Sequence, residues 1–292
     1  MTNSAPRGAP ASRLSISQWA LPDTGFAQDV ELASAAGLAG LHVAEAKVPP
    51  GREADSVALL EAAGLGFAGI ISDTVTLLPA HEEFGGRDDP EDRLADVCAV
   101  IDRLGPYRPD TFLVITGHDP QRPQAEVREL VVRNMRRLCS HAARYDIDVV
   151  VEPMRDDLKV RTSFLRTLPD AIEFMDEVGA DNLKVCYDIF HLYDTPDIFV
   201  HTERHAERIG SVHVSDRRRT LRHARDRLFA GDGIVDLAAM VTALETGGYT
   251  GWYHLFVASH KDLKDSLWRL PPPEFVARNK SGFERVLEQV GR

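Results

Sequence analysis

Four short segments in the second half of the chain end, or nearly end, apolar runs with side chains that can bind a metal ion or carry a proton. They are residues 149–153, 187–191, 212–216 and 248–256. The first three supply carboxylates and imidazoles: Glu152, Asp188, His191, His213 and Asp216. Oxygen and nitrogen ligands of this kind suit Mn²⁺, Mg²⁺, Co²⁺ or Zn²⁺. Glu152, Asp188 and His213 are therefore predicted to hold one divalent metal ion.

Each of these residues has a simpler explanation when it is taken alone. Glu152 precedes a proline where a strand must stop, so it could cap the strand at the surface. An Asp-x-x-His pair such as Asp188 and His191 occurs by chance in many proteins, and a lone histidine such as His213 in a β-branched strand is more often a core residue. The combination indicates a site, because the C-terminal ends of the strands of a parallel barrel open into one mouth.

The rest of the pattern predicts such a barrel. Short apolar runs at 14–17, 40–44, 67–71, 111–116, 148–151, 183–187, 210–214 and 251–257 predict eight strands. Amphipathic segments between them predict helices at 27–36, 55–63, 90–104, 124–145, 168–178, 198–208 and 237–246. Strands that alternate with helices favour an α/β fold with a parallel sheet, and 292 residues without a flexible linker fit one domain. We predict a single (β/α)8 TIM barrel over residues 14–292, after a disordered tail at 1–13, with long loops at 74–89 and 217–234 over its mouth.

Composition and charge exclude several classes of protein. A net charge of −11 argues against binding to nucleic acid or to an anionic membrane, because both need a cationic surface. The chain has no apolar run of the roughly 18 residues that a membrane span needs. Three scattered cysteines predict reduced thiols and, with an N-terminal segment that lacks an apolar signal core, a cytoplasmic protein. A local basic pocket stays compatible with this charge, formed from Arg217, Arg218, Arg219, Arg222, Arg225 and Arg227.

The motifs resemble the xylose-isomerase-like TIM-barrel superfamily, and within it the sugar phosphate isomerase/epimerase branch. The resemblance is most specific at Val-Glu-Pro (151–153), Asp-x-x-His (188–191), Val-His-Val-Ser-Asp (212–216), Gly-Asp-Gly (231–233) and Gly-Tyr-Thr-Gly (248–251). It implies that Glu152, Asp188 and His213 are three of four metal ligands. It also implies that Glu152 acts as a catalytic base, and that His191 and Arg219 hold hydroxyl or carbonyl oxygens of the substrate.

The sequence departs from the family at the fourth ligand. The family has a glutamate there, five residues after the Gly-x-x-Gly turn, and counting from Gly251 reaches Phe256. The resemblance implies that two glutamates exchange protons with the carbon next to a carbonyl, so Phe256 removes one proton-transfer group and one anionic ligand. Epimerisation by two bases on opposite faces is then unavailable in its usual form. An open site with three protein ligands suits an isomerase and also a lyase that eliminates from a keto-sugar.

Other residues are candidates for the substrate pocket. Asp216 follows the seventh predicted strand, His254 shares the strand face of position 256, and Trp19 could stack on a sugar ring. The leading interpretation is a metal-dependent isomerase- or epimerase-like enzyme for a small carbohydrate or related keto/enol compound; a homo-oligomer stays compatible with the sequence. A non-catalytic barrel that serves as a binding subunit is the alternative, and Phe256 is the argument for it. An apurinic endonuclease of the same superfamily is disfavoured, because the sequence shows neither its full ligand set nor a cationic surface.

Overall fold

Eight parallel strands close into a barrel in the computed structural model, which describes residues 8–80, 85–156 and 161–291. The barrel strands are β1 Leu14–Ser17, β2 Gly40–Ala44, β3 Gly66–Thr76, β4 Thr111–Ile115, β5 Asp148–Val151, β6 Leu183–Asp188, β7 Ile209–Val214 and β10 Trp252–Leu255. Two short strands, β8 Asp216–Arg217 and β9 Arg227–Leu228, pair antiparallel outside the barrel. Sequential barrel strands are neighbours, and β10 closes the ring between β7 and β1. The predicted TIM-barrel fold is confirmed.

Helices follow the strands and surround the barrel. They are α1 Phe26–Ala35, α2 Glu53–Ala62, α3 Pro90–Leu104, α4 Gln124–Ala142, α5 Leu168–Val178, α6 Ile189–Leu192, α7 Ile198–His205, α8 Leu237–Thr246 and α9 Pro272–Leu287. The two ends of α5 show how local side chains mark the limits of a helix. Thr167 and Asp170 form a reciprocal capping box at its start, and Gly179, with a φ of 67°, ends it in the left-handed region that favours glycine.

Alternation along the strands separates two apolar layers. Val212 and Val214 of β7 belong to the main core between barrel and helices, whereas His213 between them contacts side chains inside the barrel. We call the apolar group inside the barrel the inner cluster; its members are Ile71, Val75, Leu113, Ile115, Val150, Cys186 and Phe256, with Trp19 and Met154 packed against it. Polar side chains at the ends of the strands therefore sit directly on an apolar floor.

The first described residues close the opposite end of the barrel. Pro10–Arg13 forms a 3-10 turn, and the guanidinium of Arg13 is buried against the carboxylate of Glu245, with contacts of 2.6 and 2.7 Å. Arg13 also donates to the backbone carbonyls of Tyr249 and Gly251. These residues were predicted as part of a disordered tail, and the structure corrects that boundary, because the buried ion pair fixes the turn to the barrel. Residues 1–7 of the predicted tail lie outside the described residues.

The loop after β7 carries the β8–β9 ribbon across the mouth of the barrel. Its residues 217–234 were predicted as a long loop, and the ribbon gives that loop a defined path. Of the second predicted loop, 74–89, the first residues extend β3 to Thr76, and residues 81–84 are outside the described part. In the three described ranges, no helix combines the length and apolar character needed to cross a bilayer.

Candidate active site

Three strand ends bring Glu152, Asp188 and His213 together at the mouth. Glu152 directly follows β5, Asp188 is the last residue of β6, and His213 pairs with Asp188 across the β6–β7 register. The Nδ1 atom of His213 lies 3.5 Å from Oδ2 of Asp188 and 3.9 Å from Oε1 of Glu152. All three side chains are buried, with at most 4% of any residue exposed. Two carboxylates and an imidazole thus converge, as the strand positions predict.

Asp188 has a second neighbour that the sequence analysis recorded only as one of six arginines in the basic stretch. Nη1 of Arg227 donates to both carboxylate oxygens of Asp188, at 3.0 and 2.8 Å, and to Oγ of Ser215 at 3.1 Å. Its Nη2 lies 3.3 Å from Nε2 of His191. Arg227 is 5% exposed, so this guanidinium is a built part of the site.

Phe256 faces the same site. Its ring stacks on the imidazole of His213, with centroids 4.5 Å apart and planes inclined by 17°. The guanidinium carbon of Arg227 lies 4.7 Å from the centre of the Phe256 ring, a distance typical of a cation–π contact. The position where the family resemblance expects a carboxylate ligand is therefore an apolar wall between an imidazole and a fixed cation.

Cys186 is a further site residue that the sequence analysis did not select. Its Sγ atom lies 3.6 Å from both ring nitrogens of His213. Burial raises the pKa of the Cys186 thiol well above its usual value, which favours the protonated form. Its place in β6, two residues before Asp188 and on the same strand face, is the signal that could have identified it.

The environment drives the pKa values of the two carboxyl groups apart. Burial, and then the charge of Asp188, raises the pKa of Glu152 well above its usual value, against the opposing effect of Arg227. Burial would raise the pKa of Asp188 as well, but Arg227 and His213 outweigh it and hold that pKa below its usual range. Burial also lowers the pKa of His213 and favours its neutral, ligating form. Glu152 is thus suited to carrying a proton and Asp188 to remaining an anion.

The comparisons with known proteins agree with this architecture. A family profile described as xylose isomerase-like TIM barrel matches residues 30–278. The chain belongs to this family. Among curated proteins it is similar to a D-psicose 3-epimerase of Enterocloster bolteae, with 27% identity over 163 residues; the match covers 56% of this chain and 48% of that relative, about half its length.

Two solved structures share nearly the whole of this barrel. A protein of Sinorhizobium meliloti 1021 superposes with a TM-score of 0.81 at 20% identity and covers 94% of this chain and 98% of its own. The IolI protein with a bound zinc atom superposes with a TM-score of 0.74 at 16% identity and covers 95% of this chain and 98% of its own. At these identities the structures show the fold alone.

The donor set at the mouth fits a divalent metal ion. Within the described residues, ligand atoms of Glu152, Asp188 and His191 lie within 4.8 Å of one another, and so do those of Glu152, Cys186 and His213. Buried carboxylates beside a neutral imidazole are the ligands that borderline divalent ions prefer. Arg227 shares Asp188 with any ion bound there, because it holds both oxygens of that carboxylate.

Asp216, one of the predicted substrate residues, binds the backbone of the loop over the barrel mouth. Both oxygens of Asp216 accept backbone N–H groups, from Arg217 at 2.7 Å, Gly233 at 2.8 Å, and Gly231 and Val235 at 3.1 Å. The carboxylate therefore anchors the loop that contains the Gly-Asp-Gly motif. A Cβ on Gly233 would collide with this carboxylate, which explains the glycine.

Arg219 is exposed on the loop, whereas its neighbour Arg217 is buried, with its guanidinium carbon 4.7 Å from the ring centre of Phe190. Arg217 and Arg227 pair across the ribbon, and both guanidinium groups flank Phe190. The ribbon thus turns Arg217 inward, whereas the resemblance selects Arg219, two residues later. The role of Arg219 stays a prediction.

Trp19 and His254 differ in how deeply they are buried inside the barrel. Trp19 is partly buried and packs against the inner cluster. His254 is fully buried deeper in the barrel, stacked on His42 at a centroid distance of 4.1 Å, and its Nδ1 lies 2.5 Å from Oγ of Ser15. Its ring centroid is 5.7 Å from that of His213, so His254 packs against His213 from inside the barrel.

Proposed function

We propose that the protein is an isomerase- or epimerase-like enzyme that moves a proton at the carbon next to the carbonyl of a small sugar or related keto/enol compound. The observation that carries this proposal is the buried carboxyl of Glu152, with a raised pKa, in one group of atoms with Asp188 and His191 at the barrel mouth. The name of the curated relative, a 3-epimerase of a ketose, supports the same class of substrate.

In the proposed reaction the ionised form of Glu152 removes the proton from the carbon that bears a hydroxyl group, and the raised pKa makes this carboxylate a stronger base. His191 and Arg227, at 3.3 Å from one another, bind the carbonyl and hydroxyl oxygens and steady the charge that develops on them. A divalent ion held by Glu152, Asp188 and His213, Mn²⁺ first and Mg²⁺, Co²⁺ or Zn²⁺ as alternatives, would polarise the carbonyl and acidify the adjacent C–H bond.

Phe256 restricts the proposed reaction to one that needs a single base. Inversion at a carbon requires a second acid on the opposite face. Phe256 stands where the family resemblance implies the second carboxylate, and its ring stacks on His213. An exchange between a ketose and an aldose needs only one carboxyl group, because Glu152 can return the proton to the neighbouring carbon on the same face while the hydroxyl proton moves between the two oxygens. We therefore favour isomerisation over 3-epimerisation.

Proton exchange tests this assignment. Ketoses, aldoses and 2-keto acids are incubated in D₂O with the Mn²⁺-loaded protein, and deuterium at the carbon next to the carbonyl is followed by NMR. We expect exchange and isomerisation by the wild type, and none by Glu152→Gln, which removes the base but keeps its size. Glu61→Gln, at an exposed position on α2, is the matched control and is expected to match the wild type.

The fold of each variant is checked by circular dichroism and thermal unfolding. Turnover by Glu152→Gln at the wild-type rate would remove Glu152 as the base. Elemental mass spectrometry after equilibrium dialysis against Mn²⁺ gives the bound metal, which is expected at about one ion per wild-type chain and to be lost in His213→Ala.

A further inference from the structure

The guanidinium of Arg227 lies beside the buried carboxylate of Asp188 and compensates its negative charge. It contacts both oxygens of Asp188, reaches His191 and Ser215, and is itself 5% exposed. Its guanidinium carbon lies 4.4 Å from the ring centre of Phe190 and 4.7 Å from that of Phe256. Two aromatic faces and three polar partners fix its position, so it does not behave like an arginine that swings over a loop.

We propose that Arg227 is a resident cation of this site, which compensates Asp188 in the absence of metal and keeps the affinity for divalent ions low. The proposal rests on the metal-binding donor set of the proposed function. It concerns the strength of ion binding, and it does not depend on which substrate is turned over.

The charges explain the expected weak binding. The residues Glu152 and Asp188 are anionic when ionised, and Arg227 adds one positive charge directly on one of them. An incoming divalent ion has to share Asp188 with this guanidinium and is repelled by it at close range in a buried, weakly screened site. A glutamate at position 256 would add a negative charge on the other side; the uncharged ring of Phe256 adds none.

The same pairing explains why Arg227 and Phe256 occur together. A glutamate at position 256 would lie close enough to Arg227 to form an ion pair, whereas a phenyl ring leaves the guanidinium directed at Asp188 and offers it a cation–π face. The fixed positive charge of Arg227 and the missing negative charge at position 256 change the electrostatic potential of the site in the same direction. Both lower the attraction for a metal cation.

The loop also offers a matched control. Arg222 forms a comparable ion pair with Asp226, its Nε atom 2.7 Å from the carboxylate. Its side chain is 41% exposed, and its guanidinium also binds Asp265 on the surface. Removal of its charge changes the net charge of the loop by the same amount. Any difference between Arg222 and Arg227 variants therefore comes from position.

Calorimetric titration with Mn²⁺ tests the proposal on the full chain. We expect Arg227→Met to bind Mn²⁺ at least about tenfold more tightly than the wild type, because the competing charge is gone. Arg222→Met is expected to bind like the wild type. If Arg227→Met does not fold, the pair Arg227→Gln and Arg227→Lys decides the question: both can hydrogen-bond to Asp188, but only lysine keeps the charge, so the glutamine variant is expected to bind the ion more tightly.

Equal or weaker Mn²⁺ affinity in the neutral variants, with the fold intact, would overturn the proposal and make Arg227 a residue that positions Asp188 for the ion. Absence of Mn²⁺ binding in every variant would overturn it too. Failure of the proposed function appears elsewhere, as absent proton exchange in a protein that still binds Mn²⁺ and still responds to the loss of Arg227.

Discussion

The imidazole of His213 and the ring of Phe256 are stacked, 4.5 Å between centroids and 17° from parallel. The stack holds the imidazole so that its Nδ1 stays 3.5 Å from the carboxylate of Asp188. Phe256 thus orients the imidazole of a predicted metal ligand. The site keeps a preorganised histidine although it has one carboxylate fewer than the family resemblance implies.

Phe256→Glu is expected to destabilise the metal-free protein and to be rescued by metal. A third carboxylate beside Glu152 and Asp188, together with the lost aromatic stack, costs about 2–4 kcal/mol of unfolding free energy. A bound divalent ion compensates that charge and recovers much of the loss. The measurement is urea unfolding with and without Mn²⁺. Phe256→Leu, which loses the stack without adding charge, serves as the control and should gain no more stability from Mn²⁺ than the wild type does. Equal Mn²⁺ responses of the two variants would mean that position 256 does not sense the ion.

Asp216→Asn is expected to destabilise the fold, because it loosens the loop 217–234 over the barrel mouth. The carboxylate accepts backbone N–H groups from Arg217, Gly231, Gly233 and Val235, and the amide group turns one acceptor into a donor. We expect a loss of about 2–4 kcal/mol, because buried donors are left without a partner.

Asp232→Asn changes the same charge at an exposed position of the same loop, and it should stay within about 0.5 kcal/mol of the wild type in urea unfolding. An Asp216→Asn protein as stable as the wild type, with a raised KM, would instead support the substrate role predicted for Asp216 from the sequence.

Asp110 is expected to make stability depend on pH. Burial, opposed by the indole N–H of Trp252 at 2.5 Å and assisted by Asp148, raises the pKa of Asp110 to about 7. A raised pKa means that the folded state keeps this proton while the unfolded state loses it above about pH 4. The contribution of Asp110 to stability is therefore present below pH 4 and is lost as the pH rises towards 7.

Asp110→Asn isolates this contribution, because the amide oxygen can still accept the Trp252 N–H and does not titrate. We expect the variant to gain stability relative to the wild type between pH 4 and pH 8, measured by urea unfolding at several pH values. A constant difference between the two proteins across this range would show that Asp110 titrates at its ordinary pKa.

Much of the fold follows from local patterns in the sequence. Apolar β-branched runs such as 148–151 and 183–187 predict the strands, because side-chain alternation is local. The ends of α5 also depend on local hydrogen bonds, made by Thr167 and Asp170 at its start and at Gly179 at its end. The meeting of Glu152, Asp188 and His213 also follows once a parallel barrel is predicted, since its strand ends share one mouth. Their roles in metal binding and proton transfer stay predictions.

Only the tertiary structure decided which arginine enters the site. Arg217, Arg219 and Arg227 lie in one polar stretch without a periodic signal, and the ribbon pairing of Arg217 with Arg227 turns those two inward and leaves Arg219 exposed. The buried turn at Arg13 likewise depends on Glu245, more than 200 residues away along the chain. The sequence determines the strands and the chemistry at their ends, whereas the path of the loops depends on long-range contacts that local propensity does not encode, and here that path decides the charge of the site.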